Sequence, residues 1–202
     1  MRSNRGKIAV SEAPNRRQIL AGLAVAAGAA ALEPAAHAAP ADIPPAEMDK
    51  HKHNMQLAID QANLNPGRPF GCVIVDNRTG QVSAAGVVNM AVNPMFHSEV
   101  VAMNQYVERH GNKDWEHQTI YGTGEPCPMC MTAMIWAGLT SVVYASETPL
   151  VSKYVNNINI RATDVVAAAN PALYKSKLLL GGVLSDVTDK MFEDRAKAAA
   201  PK

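Results

Sequence analysis

Two short clusters, His97-Ser98-Glu99 and Pro126-Cys127-Pro128-Met129-Cys130, constrain this chain more than any other feature. One imidazole and two thiolates are a ligand set that suits zinc, and three protein ligands leave the fourth tetrahedral position open. A strand signal, Gln118–Tyr121, lies between the clusters, so the fold must bring segments from either side of a strand to one point. Apolar spacing predicts a helix from about His97 to Arg109, closed by Gly111, and a second over Cys127–Ala137 with Gly138 at its end. Both clusters then occupy a helix start, where unpaired N–H groups and the positive end of the dipole favour thiolate over thiol.

Glu99 separates an enzyme from a zinc staple. A structural zinc site is closed by a fourth ligand and needs no free carboxylate beside it. Next to an open metal position, the work expected of Glu99 is proton transfer. Cys127-x-x-Cys130 alone also fits a redox pair, or a disulfide outside the cytosol, although such a site would not require His97 and Glu99 in a separate helix. A structural zinc or binding module is the third reading.

The rest of the chain alternates helix and strand signals. Glu47–Leu64 carries Met48, Met55, Ala58, Ile59 and Ala62 at helical spacing and ends at Asn65-Pro66-Gly67. Cys72–Asp76 is a short apolar strand, followed by the turn Asn77-Arg78-Thr79-Gly80 and a hairpin partner over Gln81–Val88. A strand at Ser141–Ala145, a helix at Asp164–Ala169, a strand within Lys177–Leu180 and a terminal helix Ser185–Ala198 complete an α/β pattern with helices on both sides of a central sheet. Cys72 reads as a buried strand residue, His51 and His53 as a solvated helix start among Lys50, Lys52 and Asn54, and Met129, Met131 and Met134 as packing.

Composition bears on location and partners. Ile19–Leu32 is an unbroken apolar run, preceded by Arg16-Arg17 and followed by Ala36-His37-Ala38, which is the layout of a signal peptide. The run is too short for the about 20 residues a spanning helix needs. Asn15-Arg16-Arg17-Gln18 before the apolar run predicts the twin-arginine route, and no cysteine follows to carry a lipid anchor. The expected organisation is a signal peptide over 1–38, a Pro-rich linker over 39–46, and one catalytic domain over 47–202, periplasmic or secreted and without a stable membrane anchor. Of the chain's 19 basic and 18 acidic residues, Arg2, Arg5, Lys7, Arg16 and Arg17 against Glu12 and Glu33 precede residue 39. The net charge of +1 is therefore a leader of +3 and a remainder of −2, which offers no footprint for nucleic acid.

Together the clusters match the H-x-E…P-C-x-x-C pattern of zinc-dependent deaminases. From Pro69 to about Phe192 the chain resembles the guanine deaminase and tRNA adenosine deaminase branch of the cytidine/deoxycytidylate deaminase superfamily. The resemblance rests on Pro69-Phe70-Gly71 before a strand, Glu125-Pro126-Cys127-Pro128-Met129-Cys130, and Ile135-Trp136-Ala137, which leans toward guanine deaminase. Gly181-Gly182-Val183-Leu184 is instead similar to the enzymes acting on tRNA. It implies a three-layer α/β/α fold with a mixed central sheet of about five strands, and a homodimer.

The same resemblance implies Zn2+ on His97, Cys127 and Cys130, zinc-bound hydroxide attacking an aminated ring carbon, and Glu99 as proton shuttle. The Cys127 backbone N–H would polarise the ring, Asn89 would hydrogen-bond the base, and Phe70 and Trp136 would line its pocket, a role that competes with ordinary core packing. Two departures stand out: H-S-E replaces the family's usual H-A-E, and Asn156-Asn157 stands where guanine deaminases carry an acidic pair, which weakens guanine itself as substrate. The function expected is hydrolytic release of ammonia from a purine-type base or nucleoside, guanine-like first. The alternatives are a cytosine/cytidine-type deaminase, a zinc-binding protein without turnover, and a CxxC redox protein.

Overall fold

The computed structural model describes residues 42–199. The segments expected to form a signal peptide, its cleavage site and the start of a linker lie outside the described residues.

Helix α1 (Pro45–Ala62) buries Met48, His51, Met55, Ala58, Ile59 and Ala62 along one stripe, the i, i+3, i+4 pattern its sequence carries. Strands β1 (Gly71–Asp76) and β2 (Val82–Val87) form an antiparallel hairpin through a turn whose Gly80 takes φ +73°, the left-handed region glycine enters at no steric cost. Helix α2 (Ser98–His110) follows, ended by Gly111, then a 3₁₀ turn at Trp115–His117 and strand β3 (Gln118–Gly124). Helix α3 (Pro128–Ala137), strand β4 (Ser141–Ser146), the short helix α4 (Thr148–Val151), helix α5 (Ala162–Ala168), strand β5 (Leu178–Leu180) and helix α6 (Ser185–Ala199) complete the order.

The five strands form one mixed sheet in the order β2-β1-β3-β4-β5. β1 is antiparallel to both neighbours, while β3, β4 and β5 run parallel. Side chains alternate across β1: Val73 and Val75 pack with Met48, Met55 and Ile59 of α1 and Val183 ahead of α6, whereas Cys72 and Ile74 pack with Ala102 of α2, Met131 of α3 and Val166 of α5. Burial on both faces is why β1 and β4 carry continuous apolar stretches, Cys72–Val75 and Val142–Ala145, rather than alternating ones, and β3 is buried along its whole length as well. The three-layer arrangement and the sheet of five strands agree with expectation.

One glycine sets the distance between sheet and site. At Gly86 on β2, a Cβ would overlap the Ser98 carbonyl oxygen and come within 2.6 Å of the Ala102 nitrogen. Only glycine lets the first turn of α2, with its His-Ser-Glu cluster, settle directly on the strand.

Three expectations need correction. α1 begins two residues earlier than read, with Pro45 in its first turn, where proline's missing N–H costs nothing. β3 continues three residues past Tyr121 and carries the chain to the cysteine cluster. His51 is not solvated: it lies on the buried stripe of α1, 6% exposed, with Nδ1 3.0 Å from the Tyr121 hydroxyl, and burial lowers its pKa against the raising influence of Glu47. Its polar neighbours misled because charged residues flank a helix's inner face at every turn.

Candidate active site

Topology gathers the functional loops at one end of the sheet. Because β1 opposes β3 and β2 opposes β1, the residues before β1, after β2, after β3 and after β4 all emerge at the carboxyl ends of the parallel strands, where open α/β sheets bind ligands. α2 and α3 both start there. His97 is the N-cap of α2 and Cys127 the N-cap of α3, each with an extended backbone that turns its side chain away from the helix, and Cys130 is the third residue of α3.

These side chains converge. His97 Nδ1 lies 3.5 Å from Cys127 Sγ and 3.6 Å from Cys130 Sγ, and the two sulfurs are 3.6 Å apart. Bond lengths of about 2.3 Å to sulfur and about 2.0 Å to nitrogen around a tetrahedral zinc place ligand atoms about 3.5–3.8 Å from one another. The donor set and its spacing therefore fit zinc, with one coordination position left over.

Electrostatics at the triad follow from its crowding. The Cys127 thiol is drawn down to about 4, first by its hydrogen bond with Cys130 and then by that with His97. The hydrogen bond to Cys127, together with burial, pushes Cys130 upward. His97 is raised, chiefly by its hydrogen bond with Cys127. Glu99 is buried, its carboxyl raised first by desolvation and then by Cys127, while Ser98 Oγ donates to Oε2 at 2.9 Å. The hydroxyl of the H-S-E variant thus has a visible job: it holds the carboxylate. Cys72 is fully buried in the same core cluster behind Cys127 and Cys130, as its strand reading anticipated.

A cavity of about 300 Å³ opens over the triad, with His97, Glu99 and Cys127 in its wall. Phe70 lines it and packs on Phe192 of α6, ring centroids 4.9 Å apart, and Asn156 lines it together with Asn157. Asn89 does not reach it: its exposed side chain faces a second cavity beside Phe96 and Gln105, while Val88 and Met90 line the first. The Asn89 carbonyl accepts from the Val92 and Asn93 N–H groups, so the chain turns at Asn89 as it leaves β2. Trp136 is 71% exposed on the outer side of α3 and does not line this cavity. α3 is apolar all round, so its sequence pattern does not reveal which face turns inward.

Three cavity residues escaped sequence reasoning as functional positions. Glu125, which opens the cysteine motif, is buried, and its carboxylate accepts from the Thr148 N–H at 2.7 Å, the Ala162 N–H at 2.8 Å and Arg161 Nε at 2.8 Å. It caps α4 and α5 at once, which fixes both ends of the loop carrying Asn156 and Asn157. Arg68 and Arg195 also line the cavity, from segments far apart in the chain. The one signal available for Arg195 was its place one turn after Phe192 on the terminal helix.

Comparison with known proteins places these features in a family. The pattern of the cytidine and deoxycytidylate deaminase zinc-binding region matches residues 48–146. The guanine deaminase of Bacillus subtilis is 36% identical over 98 residues, covering 48% of this chain and 62% of that enzyme. A tRNA-specific adenosine deaminase of Rickettsia felis is 31% identical over 98 residues, 46% of this chain and 68% of that one. In structure, the guanine deaminase from Nitrosomonas europaea superposes with a TM-score of 0.62 at 18% identity, covering 77% of this chain and 94% of that one, a likeness of fold.

Proposed function

The chain belongs to the cytidine and deoxycytidylate deaminase family, and from that premise we propose that it is a zinc-dependent hydrolase releasing ammonia from a purine-type base or nucleoside. The observation that carries the reading is the buried carboxylate of Glu99 in the wall of the cavity that also exposes His97 and Cys127. His97, Cys127 and Cys130 hold the metal. Bound there, zinc supplies Lewis-acid activation of water near neutral pH.

The remaining steps fall to the protein. Glu99, steadied by Ser98, accepts a proton from the attacking water and returns it to the ring nitrogen, and the amine leaves as ammonia while a carbonyl forms at the same carbon. Phe70, Val88 and Met90 supply apolar walls for the ring, and Asn156 and Asn157 offer amides to its edge. A purine is favoured by likeness to the guanine deaminase, and a small molecule over tRNA by the −2 balance beyond residue 38. A CxxC redox protein would have no use for His97 equidistant from both sulfurs.

Ammonia release from guanine, guanosine, adenine, adenosine, cytosine and cytidine tests the reading. Turnover is expected on at least one purine substrate and to exceed that on the pyrimidines. Preference for cytosine or cytidine would transfer the assignment to that class, and inactivity on all six with a Cys127–Cys130 disulfide would favour the redox protein.

A further inference from the structure

We propose that Arg68 and Arg195 form an oxyanion subsite at this cavity, and that the substrate is an aminated ring bearing a phosphate or carboxylate substituent. The inference rests on the deaminase reading for the ring and on separate observations for the anion. Arg195 Nε donates to the Gly67 carbonyl at 3.0 Å and Nη1 to the Tyr154 carbonyl at 2.7 Å. Arg68 Nη1 meets the Met90 sulfur at 3.0 Å. Among the described residues no carboxylate pairs with either guanidinium.

The acids of the cavity are committed elsewhere. Glu125 is saturated by two backbone N–H groups and Arg161, and Glu99 is buried beside the metal ligands. Two guanidiniums thus face a half-enclosed space with most of their donors unspent. A planar fork of N–H groups matches phosphate or carboxylate oxygens bidentately. Arg195 is also held in place, while Arg68 is exposed at the cavity rim. The carbonyls of Gly67 and Tyr154 tie Arg195 across two loops, and Phe192 one turn earlier on α6 rests on Phe70, so the wall that would contact the ring and the group that would bind its anion share one helix face.

Binding, measured by calorimetry on the zinc-loaded protein, tests this without turnover. Inosine and xanthosine are compared with their 5′-monophosphates and with a carboxyalkyl hypoxanthine, none of which carries an exocyclic amine. The anionic compounds should bind about tenfold or more tightly than the nucleosides, as one charge-assisted pair allows, with an advantage that falls as salt rises. The better of the two anionic arms identifies the oxyanion. In Arg68→Ala and in the charge-keeping but fork-less Arg195→Lys, the ratio of anionic to neutral affinity should fall toward one. Equal affinities in the wild type, an advantage that survives both substitutions, or tighter binding of a short single-stranded RNA than of any monophosphate would overturn the proposal. Absence of ammonia release from every aminated ring with the affinity ratio intact would overturn the deaminase reading and leave the anion subsite standing.

Discussion

Glu125 shows how much a single side chain can organise without touching a metal. Replacing it with alanine leaves the Thr148 and Ala162 N–H groups without their acceptor and removes one of the two carboxylates of Arg161, Glu147 remaining at 3.2 Å, and each buried donor left unpaired costs about 1–3 kcal/mol. Glu125→Ala should therefore lose about 3 kcal/mol or more of unfolding free energy, read from the denaturant midpoint, and Glu125→Gln should lose less because one acceptor oxygen remains. A midpoint unchanged by the alanine substitution would remove Glu125 from this role. His97, Glu99, Cys127 and Cys130 were legible because metal and proton chemistry dictate both residue type and short-range spacing. Arg68, Arg195 and Glu125 were not, because their roles arise from segments that meet only in the fold. Asn89 lies beside the second cavity rather than the first, a placement set by the turn after β2 that carries no periodic signal.

At the scale of elements, α3 is the helix whose sequence says least about its surroundings. It buries Cys130, Met131, Met134 and Ile135, yet Trp136 stands 71% exposed on its far side. A helix apolar all round is ordinarily covered all round, and a second copy of this chain is the cover expected of it. Trp136→Glu should convert a dimer to a monomer in sedimentation while leaving the circular dichroism spectrum intact. A monomeric wild type, or a dimer that tolerates the glutamate, would refute that interface. The alternation of strands and helices was readable because their apolar periods differ. The end of β3 was missed because Gly122, Thr123 and Gly124 carry no strand signal, and their pairing comes from β1 and β4. α4 was missed because a helix of four residues has no period to read.

For the molecule as a whole, we propose that the N-terminal segment is an export leader, and such a leader and the metal centre pose one problem. Two thiolates sent unmetallated into an oxidising compartment risk forming a disulfide, and export in the folded state, after zinc has bound in a reducing cytosol, avoids that. Replacing Arg16 and Arg17 by lysines should then retain the protein in the cytoplasm, detected by fractionation, and unchanged export would exclude the twin-arginine route. The proposed chemistry needs a three-ligand zinc with Glu99 as the proton carrier. It is tested most directly by measuring zinc content and ammonia release on the same preparation of Glu99→Ala. Zinc should remain at the wild-type level with turnover reduced about 10²–10⁴-fold, the share general acid–base catalysis ordinarily supplies. Turnover preserved in a zinc-loaded Glu99→Ala protein would contradict it.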